Sequence, residues 1–239
     1  MPAGRRLALI GLVIAAVVAL PARSPAAARA EAAPIRVALS GAGLLGPGAQ
    51  GTAVLQLQRR LSALGYFVGR VDGRFGFDTE QAVYALQKAA HLDRDGIVGP
   101  ITRAALARGA VPTPRPVRGR AIEIDLADQL LMVVDGDRLR LIVNTSTGGG
   151  YAYFDRGVPA LAITPVGHFR ILRQINGLEI APLGELWRPK YFLGGLAIHG
   201  ATEVPPFAVS HGCVRVGEDA MNLIWASNLA PIGMPVWIY

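Results

Sequence analysis

The sequence predicts two folded parts in series, a small three-helix all-α bundle and then a mostly-β domain with one helix of its own. Two observations carry this. Up to about residue 110 the apolar residues recur at helical spacing, whereas from Ala121 onward they alternate or run in short blocks bounded by turn residues. The stretch Pro112-Thr113-Pro114-Arg115-Pro116-Val117-Arg118-Gly119-Arg120 divides the two regimes. Its prolines favour an extended, semi-rigid linker over residues 111–120, kept solvated by arginines. A chain of 239 residues has room for two small domains, each with a core of its own.

Residues 1–30 belong to neither part. Arg5 and Arg6 precede an apolar run from Leu7 to Leu20, then Pro21 and an alanine-rich stretch ending Ala28-Arg29-Ala30, the small-x-small form of a signal-peptidase site. This reads as an export signal and predicts a place in the periplasm or cell wall. The apolar run is shorter than the roughly twenty residues that span a bilayer, so membrane association requires that the segment stay uncleaved. The whole chain carries +7, from 24 Lys+Arg against 17 Asp+Glu; residues 1–30 hold four arginines and no acid, which leaves 20 against 17, or +3. So mild a surplus suits an anionic cell wall, and no basic stripe with interleaved aromatics points to nucleic acid. Cys213 is the single cysteine, which rules out an internal disulfide, and an unpaired thiol in an exported protein asks for a chemical role.

Residues 31–48, rich in Ala, Gly and Pro, read as a flexible lead-in, and the helical part runs from 49 to 110. Val54, Leu57, Leu61 and Leu64 mark a first amphipathic helix, stopped by Gly65. A second runs from about Thr79 to Ala90 with Asp78-Thr79-Glu80-Gln81 as a capping-box-like start, and a third from Pro100 or Ile101 to Ala107. Before the second and third helices the sequence repeats Asp-Gly-x-x-Gly-x-x-Thr, at Asp72 to Thr79 and Asp95 to Thr102. Each copy supplies a tight turn, a glycine pivot and a hydroxyl at a helix start.

Beyond the linker, residues 121–239 read as strands. Ala121 to Leu126 alternates, Gln129 to Val134 is an apolar run, Asp135-Gly136 is a hairpin turn and Leu139 to Val143 is the return strand. Thr145 to Gly150 is a polar loop near the active cleft, with Tyr151, Tyr153 and Phe154 either lining that cleft or packing. His168 to Leu172 is a further strand, Asn176 to Lys190 a long irregular connection, and Leu193 to Ile198 a buried strand. Glu218 to Ser227 is the helix of this part.

The chemistry gathers around Ser210-His211-Gly212-Cys213-Val214-Arg215, fourteen residues beyond the histidine of Ala197-Ile198-His199-Gly200. A thiol near neutral pH is only a few per cent thiolate, so it needs a base or a positive neighbour, and His199 and His211 are the two candidates. Such a pairing predicts a depressed thiol pKa and a raised imidazole pKa. Gly212, lacking a Cβ, would let a substrate carbonyl approach, with the Gly212 and Cys213 N–H groups as oxyanion donors. His199, His211, Cys213 and His168 also make up the four ligands of a zinc site on paper. No Cys-x-x-Cys or His-x-x-x-His pair accompanies them, so the reading is of no metal.

His199-Gly200 followed by Ser210 to Arg215 resembles the signature of the L,D-transpeptidase catalytic domain, which crosslinks bacterial peptidoglycan. Thr164-Pro165-Val166-Gly167-His168-Phe169 is similar to that family's Thr-Pro-x-Gly-x-Phe segment, and Gly233 to Ile238 to its last strand. The likeness runs from Arg120 to Tyr239, with a His199-to-Cys213 loop a few residues shorter than is common in the family. It implies a mixed β-sandwich without a cofactor, in which Cys213 forms a thioester acyl-enzyme with a stem peptide and passes it to an amine. It further implies that His199 is the base, that the Gly200 carbonyl orients it, and that Arg215, His211 and Ser210 shape substrate binding. Residues 49–110, with their repeat and Leu57-Gln58, Leu64-Gly65-Tyr66 and Ala85-Leu86-Gln87, resemble the three-helix peptidoglycan-binding domain of wall enzymes. Trimming of stems by the same thiol, as an L,D-carboxypeptidase, and a non-catalytic wall-binding role are the alternatives to crosslinking.

Overall fold

The computed structural model describes residues 43–115 and 118–239. The export signal of residues 1–30, most of the lead-in and linker residues 116–117 lie outside the described residues. Helices α1 (Thr52–Ala63), α2 (Phe77–Ala89) and α3 (Pro100–Arg108) come first. The repeated loops between them are explained by two buried glutamines. On α1, Gln58 Nε2 donates to Asp72 Oδ1, Arg74 O and Thr79 Oγ1, while its Oε1 accepts the N–H groups of Asp72 and Gly73. On α2, Gln87 Nε2 donates in the same way to Asp95 Oδ1, Ile97 O and Thr102 Oγ1, and its Oε1 accepts Gly96 N–H. The Asp, Gly and Thr of each repeat are therefore the shell around one amide plug, which satisfies the loop's buried polar groups. The start of α2 differs from the capping-box reading. Gly76 is the N-cap, no side chain caps it, and Asp78 instead turns its carboxyl toward Asp219, whose charge adds to burial in pushing Asp78 up to about 6.

Strands β1 (Arg120–Asp125), β2 (Leu130–Asp135), β3 (Arg138–Asn144), β6 (Gly167–Arg170) and β12 (Pro235–Ile238) form a five-stranded sheet in the order β3-β2-β1-β12-β6. The chain's last strand enters parallel to β1 and antiparallel to β6. A second sheet runs β11 (Val214–Gly217), β10 (Leu196–Ala201), β9 (Gly184–Leu193), β7 (Arg173–Gln174), with β8 (Leu178–Ala181) also on β9. Strands β4 (Ala152–Asp155) and β5 (Val158–Leu161) make a separate hairpin, and α4 (Glu218–Ala226) follows β11 directly. Ile122, Leu131, Val133 and Val236 from the first sheet meet Phe192, Ile198, Val214 and Val216 from the second and Met221 and Ile224 from α4 in one buried core.

Three sequence expectations fail here: the buried strand read over Leu193 to Ile198 is broken by an exposed turn at Gly194-Gly195, where β9 ends and β10 begins. The segment Asn176 to Lys190 is not an irregular connection but the β8–β9 hairpin, whose glycines and Pro189 hide a strand that bulges against β10. Nor do the two parts have separate cores. Leu130 and Ile142 of the sheet are buried in the same cluster as Val54, Leu57, Leu61 and Leu86 of the helices. The reason is visible in β2, where Leu131 and Val133 face the sandwich core while Leu130 points the opposite way and needs cover. That is why the strand reads as an unbroken apolar run rather than an alternation. Along the outer edge, Ile142 N–H donates to Gly65 O and Phe67 N–H to Ile142 O, so the chain after α1 caps β3 as a short parallel bridge.

Candidate active site

Strand alternation sorts β10 and β11 into a core face and a cleft face. Ile198, Val214 and Val216 enter the core; Ala197, His199, Cys213 and Arg215 take the other side. The strands are parallel with Ile198 opposite Val214 and His199 opposite Arg215, which places Cys213 at the mouth of β11 beside the β10 histidine. Both line one cleft of about 620 Å³, along with Tyr153, Arg173, Trp187 and Glu218.

The orientation of His199 is fixed locally. Its Nδ1 lies 2.9 Å from the carbonyl oxygen of Gly200. A carbonyl can only accept, so Nδ1 carries the proton and Nε2 is left with its lone pair. Gly200 must be glycine, since a Cβ there would sit 2.8 Å from the Trp187 ring, itself held by an Nε1 hydrogen bond to Asn222. Burial pushes His199 down to about 4, the Gly200 carbonyl opposes this, and the positive charge of Arg215 reinforces it. Burial also raises the Cys213 thiol, offset in part by the Ala197 backbone and by Arg215. Both shifts run opposite to the expected depressed thiol and raised imidazole, because taking either group out of water disfavours its charged form.

The turn that delivers the thiol is tied by side chains. Ser210 Oγ accepts the Gly212 N–H at 3.0 Å and donates to Cys213 O at 2.5 Å. Thr164 Oγ1 donates to Gly212 O at 2.8 Å and accepts the Gly148 N–H at 2.9 Å, which is what the Thr-Pro segment contributes. Three sequence readings change as a result. The Gly212 N–H is engaged with Ser210 rather than directed at an oxyanion. The space a Gly212 Cβ would occupy, 2.8 Å from Ile163 O, is filled by protein and not open to substrate. The Ser210 hydroxyl, buried and committed twice, holds the turn instead of meeting a ligand.

His211 stands edge-on between two tyrosines, 5.5 Å from Tyr151 and 4.7 Å from Tyr153, and lines the cleft next to the thiol. Phe154 points outward and is 72% exposed. Arg215 also lines the cleft, and among the described residues no carboxylate pairs with it. His168 lies in the other sheet, stacked on Trp237 at 4.6 Å, so the four-ligand arrangement is not brought together. Sequence reading missed the far wall, where Arg173 lies 3.4 Å over the Tyr191 ring and Tyr191 donates to Glu179. The alternation of Leu178-Glu179-Ile180 was the signal that could have found it.

This constellation matches a known family. Residues 119–238 fit the model of the L,D-transpeptidase catalytic domain, and residues 50–106 that of a peptidoglycan binding domain. The chain belongs to the L,D-transpeptidase family. A crystal structure of an L,D-transpeptidase (residues 123–326) from Xylanimonas cellulosilytica is 47% identical and superposes with a TM-score of 0.81, covering 83% of this chain and 98% of that one. The mostly-β domain is thus the L,D-transpeptidase fold, preceded by the helices. Among curated proteins, an N-acetylmuramoyl-L-alanine amidase of Bacillus licheniformis is 43% identical over 75 residues, which is 30% of this chain. A second amidase, of Mycobacterium tuberculosis, is 33% identical over 106 residues, or 41% of this chain. The chain spans only 21% and 24% of the length of these two relatives.

Proposed function

We propose that the chain is an exported cysteine L,D-transpeptidase that crosslinks peptidoglycan stems through a thioester. The observation that carries this is the Gly200 carbonyl's hold on His199 Nδ1, which frees Nε2 on the strand face that Cys213 shares. As Sγ attacks the carbonyl of the residue preceding the terminal D-amino acid, its proton passes to His199 Nε2. The tetrahedral oxyanion is held by the Cys213 N–H, for which no partner is found among the described residues. Its collapse breaks the peptide bond, and the departing amine takes the proton back from His199. The acceptor's amine then attacks the thioester, His199 removes a proton from it, and collapse forms the new amide and returns the thiol. Arg215 offers a guanidinium for a stem carboxylate, a pairing it can make through two parallel hydrogen bonds, and His211 with its two tyrosines shapes the adjoining wall. The helical part, read as a three-helix peptidoglycan-binding module, holds the enzyme to the sacculus in the periplasm or wall.

Product analysis tests this reading. Full-length protein incubated with a soluble tetrapeptide stem and an amine-bearing acceptor stem is expected to release the terminal D-amino acid and form the crosslinked dimer. A tripeptide product alone would mean trimming by the same thiol, and an unconsumed stem would contradict both activities.

A further inference from the structure

The helices do more than cover Leu130 and Ile142. Lys88, fully buried on α2, donates from Nζ to Gln129 O at 2.9 Å, to Thr145 O at 3.2 Å and to Asn144 Oδ1. Three acceptors match the three N–H groups of an ammonium; burial and then the positive charge of Arg94 push Lys88 down to about 6, and the Asp128 carboxylate opposes them. Each of the three partners leads on toward the thiol. Thr145 Oγ1 donates to Arg215 O at 2.6 Å, two residues past Cys213. Asn144 Nδ2 donates to Gln81 Oε1 of α2 and, at 3.0 Å, to Val204 O on the loop that enters the Cys213 turn. Gln129 grips Thr147 through both ends of its amide, and Thr147 O accepts the Ser210 N–H at 2.9 Å. A separate tie comes from Arg94, past the end of α2, whose Nη1 donates to Pro206 O at 3.3 Å.

We propose that Lys88 is a positioning residue for the Cys213 turn, so that the helical part is a structural half of the catalytic site as well as a wall-binding module. A module that only tethers the enzyme needs nothing beyond apolar cover for Leu130 and Ile142. This interface instead contains a buried amine at the hub of a polar network that reaches the chain on both sides of the thiol, Val204 and Ser210 before it and Arg215 after. Such a network is stable only when every member is paired, and it then fixes one arrangement of the segments it joins. Removing the hub leaves the 144–147 segment tied to α2 through Asn144 and Gln81 alone and loosens it, and a displacement of about 1 Å at a nucleophile can cost on the order of 100-fold in rate.

The inference rests on the proposed thiol chemistry, and the test separates the two. In full-length Lys88→Met, kept well below its melting temperature, kcat for a soluble stem is expected to fall about 10- to 100-fold with KM within about twofold and sacculus binding unchanged. Combining it with Thr145→Val, which removes the hydroxyl reaching Arg215, should add little to the larger single effect, because both act along one path. A kcat within about twofold of wild type, or independent additive losses, would overturn the proposal. Should Lys88→Met not fold, Thr145→Val alone, which cuts the same path at its next link, takes its place, with a several-fold lower kcat expected and an unchanged one contradicting. If the wild-type protein consumes no stem, the functional reading fails, and alkylation of Cys213 by iodoacetamide still reports the turn. Loosening should then make alkylation at least about fivefold faster, since a released thiol loses the burial that raises it; an unchanged rate would count against the positioning role.

Discussion

Replacing Cys213 by alanine is expected to lower turnover of a soluble stem by on the order of 10⁴-fold or more, as loss of a covalent nucleophile does. The fold should be almost untouched. Cys213 is half-buried and packs at the edge of a small cluster with Leu186, Tyr191 and Ala197, so deleting one sulfur leaves little cavity. The hydrogen bonds that shape its turn come from Ser210 and Thr164 and reach backbone atoms, which alanine retains. A melting temperature within a few degrees of wild type together with lost turnover is the predicted pair of results. Residual activity close to wild type would require a different nucleophile.

The second large effect concerns His199 and its pH dependence. His199→Ala should slow acylation by about 10² to 10⁴-fold, because the neutral thiol then has nowhere to send its proton. With burial holding the imidazole down to about 4, acylation by wild type should stay level through neutral pH and decline only as pH falls through about 4, where Nε2 becomes protonated. The thiol behaves oppositely. Its pKa is raised by burial, so thiolate, read by the iodoacetamide rate, should appear only on the alkaline side of the ordinary thiol value. A pre-formed thiolate–imidazolium pair would instead alkylate fast at pH 5 to 6. The same burial links to stability: between about 6.5 and about 4 the unfolded chain binds a proton at His199 that the folded chain refuses, so this contribution is lost as pH drops through that window.

What the sequence made legible followed from local periodicity. Helices α1 to α4 and the β1–β2–β3 meander were readable because apolar spacing and turn residues speak for them directly, and the final strand through the family resemblance. The β4–β5 and β8–β9 hairpins were not, since Pro159 interrupts one and Gly184 and Pro189 the other. At the site, the residue types and their order pointed to Cys213 with His199 or His211, and the family resemblance to His199 as the base and to Arg215, whereas the parts played by Gly212 and Ser210 depended on which acceptor each donor found after folding. The pKa directions were illegible for a related reason, because motif spacing gives proximity but not depth of burial. Lys88, Asn144 and Gln129 are ordinary polar residues in sequence; only the apposition of α2 with the 144–147 segment makes them a network.

Intact-mass analysis of the full-length protein quenched in acid during turnover of a tetrapeptide stem addresses the covalent mechanism most directly. The account predicts a single adduct with the mass of the stem less its terminal D-amino acid, mapped by digestion to Cys213 and discharged on adding an acceptor amine. An unmodified Cys213 throughout steady turnover, or an adduct on any other residue, would contradict it.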